Sequence, residues 1–239
     1  MSLLASFINN IIHKLGIEIT RFPNSNDRRL LQFLKNNAIN TCVDVGANTG
    51  QFATKLMEIG FKGNIVSFEP QKSAFEMLSK KAANHNNWKV YNYALGDFDG
   101  ESTINVSANS VSSSLLNIMP QHKTAAPQSQ YINQETIQVK KLDTVLSQSV
   151  NADKIFLKID TQGFESKVLK GAANTLNKVY VLDLEMSCVE LYESELLFDD
   201  MKKHIESMGF NLCSIESGFA DEKSGKLLQI EAVFIKNIL

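Results

Sequence analysis

The chain has 239 residues, 44% of them hydrophobic and 21% charged, which fits one well-buried globular domain and excludes a fibrous or disordered chain. With 24 basic and 26 acidic residues the formal net charge is −2, so no long-range attraction draws nucleic acid, and a small or neutral partner is favoured. No apolar stretch of about 18 residues is present, which argues against stable membrane insertion through a spanning helix.

In chain order, residues 1–40 read as an N-terminal helical segment. Leu3, Leu4, Phe7, Ile8, Ile11, Ile12 and Leu15 recur at the spacing of one helix face, and Asn9, Asn10, His13 and Lys14 fill the other. The amphipathic helix is expected to pack on the domain or on a second subunit of a homodimer, since its polar face carries few cations for a membrane surface. Basic residues before the apolar run and a small-residue cleavage site after it are both missing, so a cytoplasmic location is expected.

From residue 41, short apolar runs alternate with helical patterns. Residues 41–45 read as a strand, 50–59 as a helix stopped by Gly60, and 64–69 as a second strand ended by Pro70. Ser73 reads as an N-cap, with Glu76 at the capping-box position of a helix running to about residue 84, and 89–94 as a third strand. Residues 96–142 break the alternation with turn residues and a Ser/Gln/Pro-rich stretch over 107–134. They read as a loop and hairpin insertion, and its length points to a cover over the active site. Strands at 154–159 and 179–185 and helices at 165–176 and 194–208 follow, then an antiparallel closing hairpin at 211–217 and 228–235. The expected fold is α/β, a domain over 41–239 with a mostly parallel sheet, helices on both faces and the closing hairpin. Cys42, Cys188 and Cys213 lie singly in apolar runs without metal-ligand spacing, and are expected as buried free thiols.

The segment Asp44-Val45-Gly46-Ala47-Asn48-Thr49-Gly50 lies where a buried strand turns into a helix. Gly46 and Gly50 allow a sharp turn and a close approach to a ligand, at the carboxyl edge of the sheet where ligands of parallel sheets bind. The spacing departs from G-x-G-x-x-G, and no G-x-x-x-x-G-K-[ST] phosphate loop is present, which weighs against pyrophosphate. Glu69 ends the second strand, where a carboxylate can accept from both hydroxyls of a ribose, so an adenosine-containing ligand is favoured. Asp160 emerges at the same edge, either capping the helix that follows or serving the ligand, and the two roles can coexist. Glu185 ends the fifth strand and reads equally as a group facing a second ligand or as a structural carboxylate. No compact metal-ligand set is evident, so no catalytic metal is expected.

Taken together, VDVGANTGQF at 43–52, SFEP at 67–70, NYALGDFDGE at 92–101, VKKLDTVL at 139–146, LKIDTQGFESKVLKGA at 157–172 and LDLEMS at 182–187 resemble the FkbM-type methyltransferases, over residues 41–210. The resemblance implies a Rossmann-like class I methyltransferase fold with a seven-stranded sheet. It also implies S-adenosylmethionine as cofactor, with S-adenosylhomocysteine as product, and O-methylation of a saccharide or secondary metabolite. Cofactor contacts are implied at Asp44, Gly46, Ala47, Asn48, Gly50 and Glu69, with Ala94 and Leu95 near the adenine and Asp160 facing the methyl-transfer site. Many members carry an acid where this chain has Gln162, which cannot act as a base. Asp160 is then the candidate general base or only an orienting group, and His122, in the long insertion, is the other candidate, although a lone loop histidine is commonly an exposed bystander. Two other readings are an oxidoreductase using an adenosine nucleotide and a methyltransferase-like binding module with weak or no catalysis.

Overall fold

The computed structural model describes residue 16 and residues 21–149 and 152–237. The amphipathic pattern at residues 3–15 lies outside the described residues. Within the N-terminal segment, helix α1 (Ser25–Asn36) starts at a capping box in which the Asn24 side chain accepts from the Asp27 amide and Asp27 accepts from the Asn24 amide.

A regular βα succession follows: β1 (Thr41–Val45), α2 (Gln51–Glu58), β2 (Asn64–Phe68), α3 (Lys72–Ala82) and β3 (Trp88–Tyr91). An inserted unit holds β4 (Ala94–Leu95), β5 (Gly100–Ser107), α4 (Pro120–Ala125) and β6 (Tyr131–Lys140). The chain then continues through α5 (Leu142–Ser149), β7 (Ile155–Ile159), α6 (Glu165–Lys170), β8 (Val179–Ser187), α7 (Phe198–Ser207), β9 (Phe210–Ser217) and β10 (Gln229–Lys236). The main sheet has the order β3-β2-β1-β7-β8-β10-β9, and the insertion folds as a three-stranded sheet β4-β6-β5. In the main sheet the strands from β3 to β8 run parallel, and β10 is antiparallel to both of its neighbours.

Alternation along each strand sends side chains to two cores. Val43, Val45, Val66, Phe68, Leu157, Ile159, Leu182 and Leu184 pack with α5, α6 and α7 on one face. Cys42, Ile65, Phe156, Val181 and Val233 pack with α1, α2 and α3 on the other. Helices therefore cover both faces. The second face becomes polar toward the carboxyl edge, because Ser67, Asp44, Lys158 and Asp183 stand in register on four adjacent strands.

Several local expectations change. Helix α3 begins at Lys72 after Gln71, so Ser73 lies inside its first turn and forms no capping box. The expected third strand divides into β3 and β4, the second of which leaves the main sheet to pair with β6. The helix expected to 176 ends at Lys170 with Gly171 as its C-cap, a position that needs glycine because a Cβ there would sit 1.8 Å from the Gly96 carbonyl oxygen. The last helix starts at Phe198, after a loop in which Ser194 adopts φ +61°. Cys42 is buried, but Cys188 and Cys213 are exposed, the first in the bend just after β8 and the second at an outward position of β9, whose neighbour Ser214 takes the inward one. No helix among the described residues is long and apolar enough to cross a membrane.

The contact at Gly171 gives a direct test of this packing. Gly171→Ala should lower stability by about 3 kcal/mol, the upper end for overpacking, read as a fall of several degrees in the thermal midpoint. An unchanged midpoint would disprove the contact.

Candidate active site

The turn after β1 is shaped by backbone contacts. Gly46 adopts φ +80°, and a Cβ on it would stand 1.8 Å from the Asp160 carbonyl oxygen, so only glycine lets the β1 and β7 turns touch. The Gly46 and Ala47 amides both donate to the Phe68 carbonyl, and the Asp160 amide donates to the Val45 carbonyl. Gly50 serves a different purpose from the one its motif suggests: at φ +81° its Cα faces Trp88 and Leu78, which a Cβ would meet at 2.7 and 2.9 Å. It admits core packing beneath the turn and is not part of the cavity wall.

A cavity of ≈ 270 Å³ opens at this edge, and Gly46, Ala47, Asn48, Glu69, Ala94, Leu95 and Asp160 all line it. Glu69 is buried, and its two oxygens accept from the Asn48 and Gln71 amides, each at 2.8 Å. Burial raises its carboxyl to about 7 against the lowering effect of those two bonds. Asp44 lies beneath the floor and does not line the cavity. Its Oδ2 accepts from the Ser67 hydroxyl at 3.2 Å, which in turn accepts from Trp88 Nε1 at 3.0 Å, while Oδ1 is buried without a partner. Burial raises Asp44 to about 6.

Lys158 is the group that sequence reading missed. It is buried in the β7 run IFLKI, with Nζ 3.0 Å from Asp160 Oδ2 and 5.2 Å from the centre of the Phe52 ring. Burial works against its charge, yet Asp160, Glu231, Asp44 and Asp183 outweigh that and hold it above the ordinary lysine value. Asp183 is raised by burial to about 8, and its Oδ1 also lacks a partner. A lone lysine in an apolar strand of a parallel sheet was the available signal, because such a cation needs buried acid partners.

Gln162 joins the second group of side chains. It adopts φ +56° beside Gly163 at φ +92°, and Glu165 braces the turn by accepting from the Thr161 and Gly163 amides. Its Nε2 donates to Asp160 Oδ1 at 2.9 Å and to Glu185 Oε2, and its Oε1 accepts from the Tyr192 hydroxyl. Glu185 also accepts from Gln229 at 2.9 Å, and burial, followed by Asp160, raises its carboxyl well above the usual range. Above the cavity, Ser110, Val111, Ser113 and Leu115 of the insertion form a roof. The Ser110 carbonyl accepts from Gln71 at 3.2 Å and Asn48 at 3.5 Å. His122 is buried in α4, not exposed in a loop, because its ring packs against Tyr192 and Phe219. Burial lowers it to about 4. Among the described residues no group of three or more His, Cys, Asp or Glu is placed to hold a metal ion.

Residues 44–212 match the Methyltransferase FkbM domain. The chain belongs to the FkbM methyltransferase family. Counted within the main sheet alone, the strand order 3-2-1-4-5-7-6 with an antiparallel seventh strand is the class I methyltransferase arrangement. The 2-O-methyltransferase NoeI of Sinorhizobium fredii is 24% identical over 160 residues, a match that spans 64% of this chain and 66% of that protein. Among solved structures, TehB from Haemophilus influenzae aligns with 96% of this chain and 66% of its own at 9% identity and a TM-score of 0.48. Magnesium protoporphyrin IX methyltransferase from Synechocystis PCC 6803, solved with bound SAM, aligns with 98% of this chain and 97% of its own at 9% identity and a TM-score of 0.45.

The Lys158 cluster predicts a pH signature. Replacing Lys158 by methionine leaves several buried acids without their cation and should cost about 3–5 kcal/mol in urea denaturation. Folded acids with raised pKa values bind protons that the unfolded chain has released, so stability present at low pH is lost as pH rises. With Asp44 near 6 and Asp183 near 8, the variant should lose more stability between pH 5 and 8 than the wild type. Parallel pH profiles would refute the assigned role of Lys158.

Proposed function

We propose that the protein transfers the methyl group of S-adenosylmethionine to a hydroxyl of a saccharide or secondary metabolite. One observation carries the reading: the Gly46–Asn48 turn, the Glu69 carboxylate, the apolar Ala94 and Leu95 and the Asp160 carboxylate line a single cavity of an FkbM-family domain. The residues fit that cofactor. Each Glu69 oxygen has one backbone donor and keeps a lone pair for a ribose hydroxyl. Ala94, Leu95, Ile104 and Phe164 offer an apolar slot for adenine, and the acid-rich edge around Asp44 and Asp160 suits a ligand with a cationic sulfonium and ammonium. The unpartnered Asp44 Oδ1 lies just below that edge.

When bound, the cofactor supplies a methyl group on a cationic sulfur, which departs as S-adenosylhomocysteine. The protein's part is to hold the acceptor oxygen in line, keep water out beneath the roof and accept the hydroxyl proton. Asp160 is the candidate for that proton. Lys158 and Gln162 each occupy one of its oxygens, fixing the carboxylate while leaving lone pairs for the acceptor. The activity named for NoeI, a 2-O-methyltransferase, supports oxygen as the receiving atom.

Calorimetric titration with S-adenosylhomocysteine tests the donor site. Wild type should bind saturably, and Glu69→Ala should weaken binding at least tenfold, about 1.4 kcal/mol. Ribose hydroxyls donate best to the ionised carboxylate, so affinity should be full above pH 7 and decline as pH falls through about 7. A flat profile would remove Glu69 from the site, and no binding of either adenosyl ligand would favour an interaction module. For catalysis, Asp160→Asn should reduce turnover about 10²–10⁴-fold while S-adenosylhomocysteine affinity stays within a few-fold. Near-wild-type turnover would discard Asp160 as the base.

A further inference from the structure

A second cavity, of ≈ 280 Å³, lies on the far side of Asp160. Val111, Asp160 and Gln162 line both cavities, so the two meet across these three residues. The walls of the second are amides and hydroxyls, among them Asn109, Ser112, Gln128 and Gln229, with the His122 and Phe219 rings on one side, 5.3 Å apart. Two carboxylates, Asp160 and Glu185, face it, and no lysine or arginine lines it. Lys158, the nearest buried cation, is paired with Asp160 and lines the first cavity instead.

His122 supplies an independent pointer to a ligand. The residue is 2% exposed, and its Nδ1 is buried without any hydrogen-bond partner. An unsatisfied buried polar atom costs about 1–3 kcal/mol, a cost that a ligand group bonded to the ring would remove. The imidazole is neutral, held so by burial, and a neutral imidazole offers one donor and one acceptor, which matches a hydroxyl.

We propose that this second cavity is the acceptor subsite and that it selects an uncharged, polyhydroxylated ring, a neutral sugar residue, with one hydroxyl on His122 and the hydroxyl to be methylated at Asp160. The inference rests on the donor-site reading above and adds the charge class of the acceptor. Amides and hydroxyls around the rim satisfy ring hydroxyls, while the Phe219 ring covers the apolar C–H face of the sugar. A uronate or a phosphorylated sugar would bring a negative charge beside the Asp160 carboxylate with no cation in the cavity lining to pair it, which is strongly unfavourable in a partly dehydrated site.

The test uses the full chain saturated with S-adenosylhomocysteine, probed by saturation-transfer NMR with methyl glycosides of glucose, galactose, mannose and fucose. Glucuronate, galacturonate and the hexose 6-phosphates serve as charged counterparts. At least one neutral glycoside should bind, and each charged counterpart should bind at least tenfold more weakly. His122→Phe should weaken the glycoside at least tenfold with S-adenosylhomocysteine affinity within twofold of wild type, and His122→Asn should recover part of the loss. Equal or tighter binding of a uronate or phosphate, or a folded His122→Phe protein with wild-type glycoside affinity, would overturn the proposal. If His122→Phe does not fold, the comparison of neutral and charged sugars on wild type decides alone. Normal S-adenosylhomocysteine binding with no glycoside binding sinks the acceptor inference only, whereas failure of S-adenosylhomocysteine itself sinks the donor reading and this one with it.

Discussion

An ammonium group in the middle of a buried sheet is tolerable only where opposite charge surrounds it, and Lys158 imposes that condition on every strand around it. Asp44 stands in register on one neighbour and Asp183 on the other, Asp160 follows two residues on, and Glu231 reaches in from the antiparallel strand. Acids gathered around one cation share its compensation, which is why burial still raises Asp44 and Asp183. The face of the sheet that begins as Cys42 and Phe156 thus ends as a charged edge, and the candidate site is built on that edge.

Around this centre, backbone geometry sets distances that side chains alone could not hold. The β1 and β7 turns touch at Gly46 and Asp160, so the ligand-facing loop and the candidate base belong to one rigid unit. Two non-glycine residues at the cavity, Asn48 at φ +47° and Gln162 at φ +56°, sit in the left-handed region that most side chains avoid. Both are fixed by hydrogen bonds, Asn48 to Glu69 and Gln162 to Asp160, Glu185 and Tyr192, so local strain is offset by the network that uses these residues.

The periodic elements were legible because they obey local rules: parallel strands read as apolar runs, and helices as amphipathic segments ended by glycine. Where β4 leaves the main sheet and where position 171 must be glycine, the constraint is a contact distant in sequence, with β6 in one case and with Gly96 in the other. In the site, the glycine-rich turn, Glu69 and Asp160 stood out because strand ends concentrate chemistry. Gly50 and Asp44 share their motif, yet one packs on Trp88 and the other lies under the floor, and motif spacing does not separate contact from support. Lys158 looked like an interruption of an apolar run, and His122 like a loop residue, since burial of each depends on partners supplied by other parts of the chain.

One corner of the roof over the donor cavity is fastened lightly. Its Ser110 carbonyl receives two long amide bonds, from Gln71 and Asn48, whereas the loop behind it is knitted by Ser107, Asn109, Ser112, Ser113 and Ser129. Further along the insertion, Ser114 Oγ donates to the Gln162 carbonyl at 2.7 Å and the Tyr192 hydroxyl donates to the Ser112 carbonyl at 3.3 Å, so this part is tied to the turn after β7 as well. The Ser110 corner rests on two neutral bonds worth about 1 kcal/mol each, so that corner alone can lift at small cost while the loop behind it keeps its shape.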